Sequence, residues 1–152
     1  MKLRKATIED MMLYFKWAND PVVRQNSINK SPIYLEDHKK WFSKKIEDEK
    51  TIFLIFEEDG YQLGQLRIDL DNKSNEAIIN FSIDESQRGN GFSTKMLVLA
   101  YQYYLKLYIK LTFTGYVQIG NKASSKAFEK AGFQLEIEHK LIEGEYYLVY
   151  RK

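Results

Sequence analysis

The stretch Arg88-Gly89-Asn90-Gly91-Phe92-Ser93 decides how the rest of the chain is interpreted. It follows a strand-like run over residues 77–83 and opens a helical pattern over residues 94–108. Two glycines at a strand-to-helix junction build a loop whose backbone N–H groups point inward, and the helix adds the positive end of its dipole. The sequence therefore predicts an anion site suited to a pyrophosphate.

Other nucleotide-binding loops fit this stretch poorly. It lacks the Gly-Lys-Ser/Thr ending of a P-loop, and it does not contain the full Gly-x-Gly-x-x-Gly fingerprint of dinucleotide sites. Taken alone, a short glycine-rich loop is also compatible with an ordinary turn. A second motif is therefore needed to choose between a turn and a binding loop.

The second motif covers residues 121–133, where Asn121 precedes a short helical pattern that ends in Gly-Phe. In this order the two motifs resemble the GCN5-related N-acetyltransferase (GNAT) family, whose loop reads Gln/Arg-x-x-Gly-x-Gly/Ala. Arg88, Gly91 and Ser93 fall on those positions, although Ser93 replaces the usual glycine or alanine. The resemblance extends over nearly the whole chain and implies acetyl-CoA as the cofactor.

The resemblance implies that the backbone makes most of the cofactor contacts. The pantetheine arm would pair like an extra strand with the strand before the loop, and the loop would hold the pyrophosphate. Asn121, Ser124 and Arg88 also have structural alternatives as a helix cap, a helix-start residue and a solvated turn residue. The predicted cofactor contacts are Phe81, Ser82, Ile83, Arg88, Gly89, Asn90, Gly91, Phe92, Ser93, Thr94, Asn121, Ser124 and Phe128.

The predicted acid–base residues follow from a departure at Phe128. Many family members have a tyrosine there that protonates the leaving thiolate, and general acid help is typically worth about 10²–10⁴-fold in rate. Either the coenzyme leaves as a thiolate, or another group acts. Tyr116, Glu76 and His38 are the candidate catalytic residues. Their structural alternatives are strand packing, a solvated strand end and a core position, respectively.

The N-terminal half carries the predicted acceptor-binding residues. The run over residues 17–27, followed by His38 and Trp41, resembles the branch that acetylates nucleotide-linked amino sugars. Its Trp-x-Asn-Asp-Pro theme is shared with the ribosomal-protein N-acetyltransferases. The resemblance implies that Trp17 stacks on a base or sugar and that Arg24 binds a phosphate. It also implies that His38 and Trp41 contact the acceptor, with core packing as the alternative.

The order of predicted elements indicates an α/β fold with a mixed sheet and helices on both sides, and the resemblance implies the GNAT fold. Trp17 falls outside the predicted buried stripe of the first helix. That stripe consists of Ile8, Met11, Met12, Phe15 and Ala18. Strands are predicted over residues 3–6, 51–57, 61–69, 76–83, 110–117, 133–139 and 145–150, and helices over residues 8–18, 35–46, 94–108 and 123–131.

Composition indicates one globular domain, predicted over residues 1–152. The net charge of +2 and the interleaved charges do not indicate a nucleic-acid or membrane partner. The absence of cysteine excludes disulfides, thiolate metal sites and a cysteine acyl-enzyme, and with only two histidines no metal site is expected. The start of the chain lacks the apolar core of a signal peptide, so a cytoplasmic location is expected.

Three functions are compatible with these features. The first is transfer of the acetyl group of acetyl-CoA to a primary amine of a small-molecule acceptor, a nucleotide-linked amino sugar. The second is acetylation of a protein N-terminus, a polyamine or another small amine. The third is non-catalytic acyl-CoA binding, which Phe128 favours.

A nucleotide sugar predicts a closed pocket with Arg24 and an aromatic wall, whereas a protein acceptor predicts an open, often acidic groove. The resemblance also allows a homodimer.

Overall fold

One eight-stranded mixed sheet runs through the protein in a computed structural model that describes residues 1–152. The strands are β1 (Lys2–Lys5), β2 (Thr51–Glu58), β3 (Tyr61–Asp71), β4 (Glu76–Ile83), β5 (Thr112–Gln118), β6 (Gln134–Leu135), β7 (Lys140–Ile142) and β8 (Glu145–Arg151). The helices are α1 (Met11–Ala18), α2 (Pro21–Gln25), α3 (Leu35–Lys45), α4 (Phe92–Leu105) and α5 (Lys122–Lys130). No helix is long and apolar enough to cross a membrane.

The strand order is β1-β2-β3-β4-β5-β8-β6, with β7 also paired to β8, and it contains one parallel pair. β4 and β5 run parallel because α4 crosses between them, as parallel neighbours require. Their pairing ends at Ile79 and Gly115, and the two strands then separate. Residues 80–83 and 116–118 therefore line a V-shaped opening in the sheet. Because β3 pairs with only one edge of β4, the other edge faces this opening.

Each face of the sheet has its own hydrophobic core. The larger cluster lies against α4 and α5 and includes Met96, Leu97, Phe113 and Phe128. The smaller cluster lies on the opposite face, under α1 and α3. It consists of Tyr14, Trp17, Phe42, Phe53 and Ile55.

Beyond the smaller cluster, the same face of the sheet becomes polar. Arg67 is paired with Phe53 of β2 and with Asn80 of β4, and directly paired residues share a face. Tyr116 lies on this face as well, because its neighbour Val117 belongs to the larger core and side chains alternate along a strand. We call the following residues the polar face: Gln65, Arg67, Asp69, Glu76, Asn80, Tyr116 and Arg151.

The predicted mixed-sheet fold and order of elements are confirmed, with two local differences. The sequence pattern does not predict α2, a five-residue helix in which Asp20 accepts hydrogen bonds from the N–H groups of Val22 and Val23. Pro21 occupies its first position, where the missing N–H has no helical partner to lose. The strand predicted over residues 133–139 is instead divided into the short strands β6 and β7.

The predicted buried stripe of the first helix is confirmed only in part: Met11, Phe15 and Ala18 are half-buried, whereas Ile8 and Met12 are about half exposed. A 3₁₀ turn over Ile8–Asp10 precedes α1, and the Asp10 carboxylate accepts the N–H of Thr7 (2.8 Å). The α-helix therefore begins only at Met11. Tyr14 and Trp17 are its buried residues, whereas Met12 is about half exposed.

Candidate active site

The anion loop, which we define as residues 88–94, has the backbone that its glycines predict. Gly89 (φ +84°) and Gly91 (φ +74°) are left-handed, and a Cβ on either would meet no atom within 4 Å. Backbone conformation, and not space, therefore requires glycine here. The N–H groups of residues 89–94 donate no hydrogen bond within the chain, and the last three of them begin α4. These six donors at the positive end of a helix dipole can bind an anion.

Arg88 connects the anion loop to the turn between α1 and α2. Its Nη2 lies 2.8 Å from Asp20 Oδ1, and its Nε donates to the carbonyl oxygen of Ile83 (3.2 Å). The same Asp20 oxygen accepts the N–H groups that begin α2. Arg88 is therefore held at the base of the loop, and its contribution to pyrophosphate binding stays a prediction.

Asp84 makes a second connection between α1 and the segment that leads into the loop. Its carboxylate accepts from Trp17 Nε1 (2.8 Å), Lys16 Nζ (3.0 Å) and Ser86 Oγ (2.7 Å). Although burial opposes the change, these hydrogen bonds lower the pKa of Asp84 below its ordinary value. Asp84 therefore stays ionised and bound to α1 at neutral pH.

Phe128 packs behind the opening, on the α5 side of the sheet. Its ring forms an edge contact with Phe81 (5.7 Å between centroids) and stacks on Tyr150 (5.2 Å). A Cβ on Gly115 would lie only 2.1 Å from Phe128 Cζ, so the ring tip occupies the space that this glycine leaves. Phe128 is thus seated on the backbone of β5. Its contact with the cofactor stays a prediction.

We expect Gly115→Ala to lower the free energy of unfolding by about 1–3 kcal/mol, the usual cost of overpacking a core. Chemical denaturation measures this change. In the double variant Gly115→Ala/Phe128→Leu, the smaller side chain removes the collision, so its loss should be less than the sum of the two single losses. Additive losses would contradict the seating of Phe128 on Gly115.

The remaining predicted cofactor residues lie around the same opening. Asn121 Oδ1 accepts the N–H of Ser124 (3.2 Å) and caps α5, which is the structural alternative considered for both residues. Ser82 accepts from Gln65 Nε2 (3.1 Å) on the polar face, and Ile83 belongs to the larger core. The backbone of these two β4 residues, and not their side chains, therefore faces the gap that β5 leaves.

Glu76, Tyr116 and Arg151 meet on the polar face, although they are far apart along the chain. Tyr116 Oη donates to Glu76 Oε2 (2.5 Å), and Arg151 Nη2 donates to Oε1 (2.9 Å). Glu76 is only 4% exposed, so the solvated strand end considered for it is wrong. Burial and the hydrogen bond to Glu76 raise the pKa of Tyr116 well above its ordinary value. Tyr116 therefore keeps its proton at neutral pH, with oxygen lone pairs free for another donor.

Trp17 and His38 lie in the interior and correct two predictions about the acceptor. Trp17 is 3% exposed, and its Nε1 is bonded to Asp84, so no ring face is available for stacking on a base or sugar. His38 is 2% exposed, and its Nε2 donates to the carbonyl oxygen of Met11 (2.8 Å). Burial lowers the pKa of His38 despite that hydrogen bond. Both side chains have the core roles considered as alternatives.

Arg24 is also used within the protein, which corrects the prediction that it binds a phosphate. Its Nε donates to the carbonyl oxygen of Ala18 (2.6 Å), and its Nη1 donates to that of Asn29 (2.9 Å). Its Nη2 donates to Ser27 Oγ (3.0 Å). Arg24 therefore holds the segment after α2 in place, and its fork is not free for a ligand.

The structure adds polar residues to the candidate site that the sequence patterns did not indicate. Arg67 and Asp69 lie on β3 next to Asn80, and Arg151 completes the carboxylate site of Glu76. The alternation of polar residues along β3 indicates a polar face of the sheet, but it does not indicate that this face borders the opening between β4 and β5. No group of three or more His, Asp and Glu side chains lies close enough to hold a metal ion.

Comparison with known proteins agrees with this geometry. Residues 1–134 match the family described as the acetyltransferase (GNAT) domain. No curated protein matches the chain at a significant level. Among solved structures, the aminoglycoside acetyltransferase AAC(6')-Ib with paromomycin and acetyl-CoA has a TM-score of 0.84 at 16% identity, covering 99% of this chain and 93% of its own.

Two further structures have the same fold. Spermidine N-acetyltransferase from Vibrio cholerae, with CoA and spermine, has a TM-score of 0.82 at 18% identity, covering 99% of this chain and 92% of its own. The ribosomal L7/L12 alpha-N-protein acetyltransferase RimL, with CoA, has a TM-score of 0.81 at 17% identity and the same coverage. At these identities the structures establish the fold. Because the family match spans residues 1–134 of the 152 residues, the chain belongs to the GNAT family of acetyltransferases.

Proposed function

We propose that this protein transfers the acetyl group of acetyl-CoA to the primary amine of a small-molecule acceptor bound on the polar face. The observation that carries the proposal is the opening between β4 and β5 beside the anion loop. An extended pantetheine arm can pair with the free edge of β4 while the pyrophosphate accepts from the N–H groups of residues 89–94. This arrangement directs the thioester to the point where the strands part.

The pair formed by Tyr116 and Glu76 supports catalysis rather than simple acyl-CoA binding. In the proposed reaction, the neutral amine attacks the thioester carbonyl and a C–N bond forms. The ammonium proton then passes to Tyr116 Oη while the original hydroxyl proton of Tyr116 moves to Glu76. The C–S bond breaks, and CoA leaves as a thiolate because Phe128 has no proton to give.

A small amine is favoured over the nucleotide-linked amino sugar that the sequence indicates first. The placement of Trp17, Arg24 and His38 removes the residues expected to hold a nucleotide. Trp41, which is 37% exposed, is the one predicted acceptor residue that still borders the polar face. Among the similar structures, those solved with aminoglycosides or spermine hold small amines, which supports the same choice.

The test is CoA release from acetyl-CoA, with mass spectrometry of the product. The acceptor panel contains aminoglycosides, polyamines, simple amino sugars, amino acids, nucleotide-linked amino sugars and peptides with free N-termini. We expect turnover on a small amine, giving a product heavier by one acetyl group. Turnover on peptides alone would overturn the choice of acceptor. Bound acetyl-CoA with release no faster than the amine-free background would overturn the enzymatic proposal.

A further inference from the structure

Arg67 is held rigidly at its Nε end and has no protein partner at its other end. Its Nε donates to Asp69 Oδ2 (2.8 Å), and its guanidinium carbon lies 5.3 Å from the centroid of the Trp41 ring. Trp41 is itself fixed by an edge contact with Phe53 (5.8 Å). The Nη1 and Nη2 groups make no hydrogen bond within the chain, and neither is a buried atom without a partner. They therefore reach the surface of the polar face.

The position of Arg67 relates it directly to the proposed reaction site. Arg67 pairs with Asn80, the first β4 residue beyond the last contact with β5. Neighbouring strands lie about 4.8 Å apart. The backbone of Arg67 on β3 is therefore one strand away from the edge of β4 that faces the opening. It lies on the same face as Tyr116. An acceptor whose amine reaches the opening therefore places its next few atoms beside the guanidinium.

The charges of the polar face indicate what kind of group belongs there. Its two carboxylates, Asp69 and Glu76, are each paired with an arginine. Neither carboxylate is therefore available as the sole partner of a second ammonium group on the acceptor. Arg67 retains an unshared planar fork, which matches the two oxygens of a carboxylate or phosphate. Because Asp69 and Trp41 already hold the side chain, little rotational freedom is lost on binding.

We infer that Arg67, held by Asp69 and Trp41 beside the opening, determines acceptor specificity by binding a carboxylate or phosphate group of the amine substrate. This inference rests on the proposed function and narrows its substrate class to amines that also carry an oxyanion. An amino sugar phosphate and an amino acid both meet that requirement, through different sources of the same chemistry.

The experiment compares matched acceptors that differ in the anionic group. Glucosamine 6-phosphate is compared with glucosamine for the phosphate arm, and an α-amino acid with its amide for the carboxylate arm. The variants are Arg67→Met, which keeps an apolar stem over Trp41, and Arg67→Lys, which keeps the charge without the fork. Lys106→Met removes one positive charge from the end of α4 and serves as the control.

We expect the wild-type protein to prefer the anionic member of at least one pair by about 10–100-fold in kcat/KM, the usual range for one charge-assisted interaction. Arg67→Met should raise KM for the anionic member by a similar factor and leave its kcat unchanged. The kcat/KM for the neutral member should also stay unchanged. Arg67→Lys should recover part of the preference, and Lys106→Met should keep all of it. Preference unchanged in Arg67→Met, or no preference in the wild type, would overturn the inference.

A binding measurement separates this inference from the proposed function. If no amine is acetylated, the enzymatic proposal fails, and the same matched pairs are tested by thermal shift in the presence of CoA. Stabilisation by the anionic member that is lost in Arg67→Met supports the anion site independently of catalysis. Equal shifts for both members of each pair would overturn it.

Discussion

Replacing Tyr116 by phenylalanine is expected to lower kcat for amine acetylation by about 10²–10³-fold, because it removes the oxygen through which the amine proton reaches Glu76. KM for acetyl-CoA should stay unchanged, since Tyr116 lies on the polar face and not in the anion loop. Glu76→Gln should give a similar loss, because an amide cannot accept the relayed proton. Steady-state kinetics at saturating acetyl-CoA measure both variants.

The matched control for Tyr116→Phe is Tyr146→Phe, which removes a hydroxyl from an exposed tyrosine of β8. It should retain the kcat of the wild-type protein. The double variant Tyr116→Phe/Glu76→Gln should lose no more activity than the worse single variant, because the two residues act in one proton path. Independent, multiplying losses would contradict the relay, as would a Tyr116→Phe kcat within a factor of three of the wild type.

Replacing Gly91 by valine is expected to weaken acetyl-CoA binding by about 100-fold. Gly91 is left-handed (φ +74°), and a β-branched residue strongly resists that conformation. When the backbone turns away, several N–H groups of the anion loop no longer point to one place. The loss of two charge-assisted hydrogen bonds, each worth about 1.5 kcal/mol or more, accounts for a change of this size. Isothermal titration with acetyl-CoA measures it.

Gly60→Val is the control that separates this effect from loss of stability. Gly60 is also left-handed (φ +83°), a Cβ there would also meet no atom within 4 Å, and it lies in the turn between β2 and β3. Both variants should lower the melting temperature, but only Gly91→Val should weaken acetyl-CoA binding. Equal affinities for acetyl-CoA in the two variants would show that the anion loop does not bind the pyrophosphate.

The anion loop and the mixed sheet could be predicted because their signals are local. Gly89 and Gly91 specify a left-handed backbone at their own positions, and the alternation before them specifies a strand. The burial of Trp17 could not be read in the same way. It depends on packing against Phe42 and Phe53 from other elements and on the hydrogen bond to Asp84, which is 67 residues away.

The candidate catalytic pair shows the same limit. In the sequence, Tyr116 and Glu76 are two separate candidates, because nothing local indicates that side chains 40 residues apart share a hydrogen bond. Arg24 is the opposite case: its residue type suits a phosphate, but folding uses its donors within the chain. Its donors are taken up by nearby carbonyl oxygens once the chain turns after α2. The residue type shows which hydrogen bonds a side chain can make, and the fold determines which partner makes them.

The carboxylates of Asp20 and Asp84 connect the anion loop and the segment that leads into it to α1 and to the turn between α1 and α2. We expect a ligand that orders the anion loop also to order the turn between α1 and α2. Such coupling is reciprocal in free energy, so whatever factor acetyl-CoA contributes to acceptor affinity, the acceptor returns to acetyl-CoA. We therefore expect each substrate to raise the affinity for the other within a single subunit, through the contacts of Asp20 and Asp84.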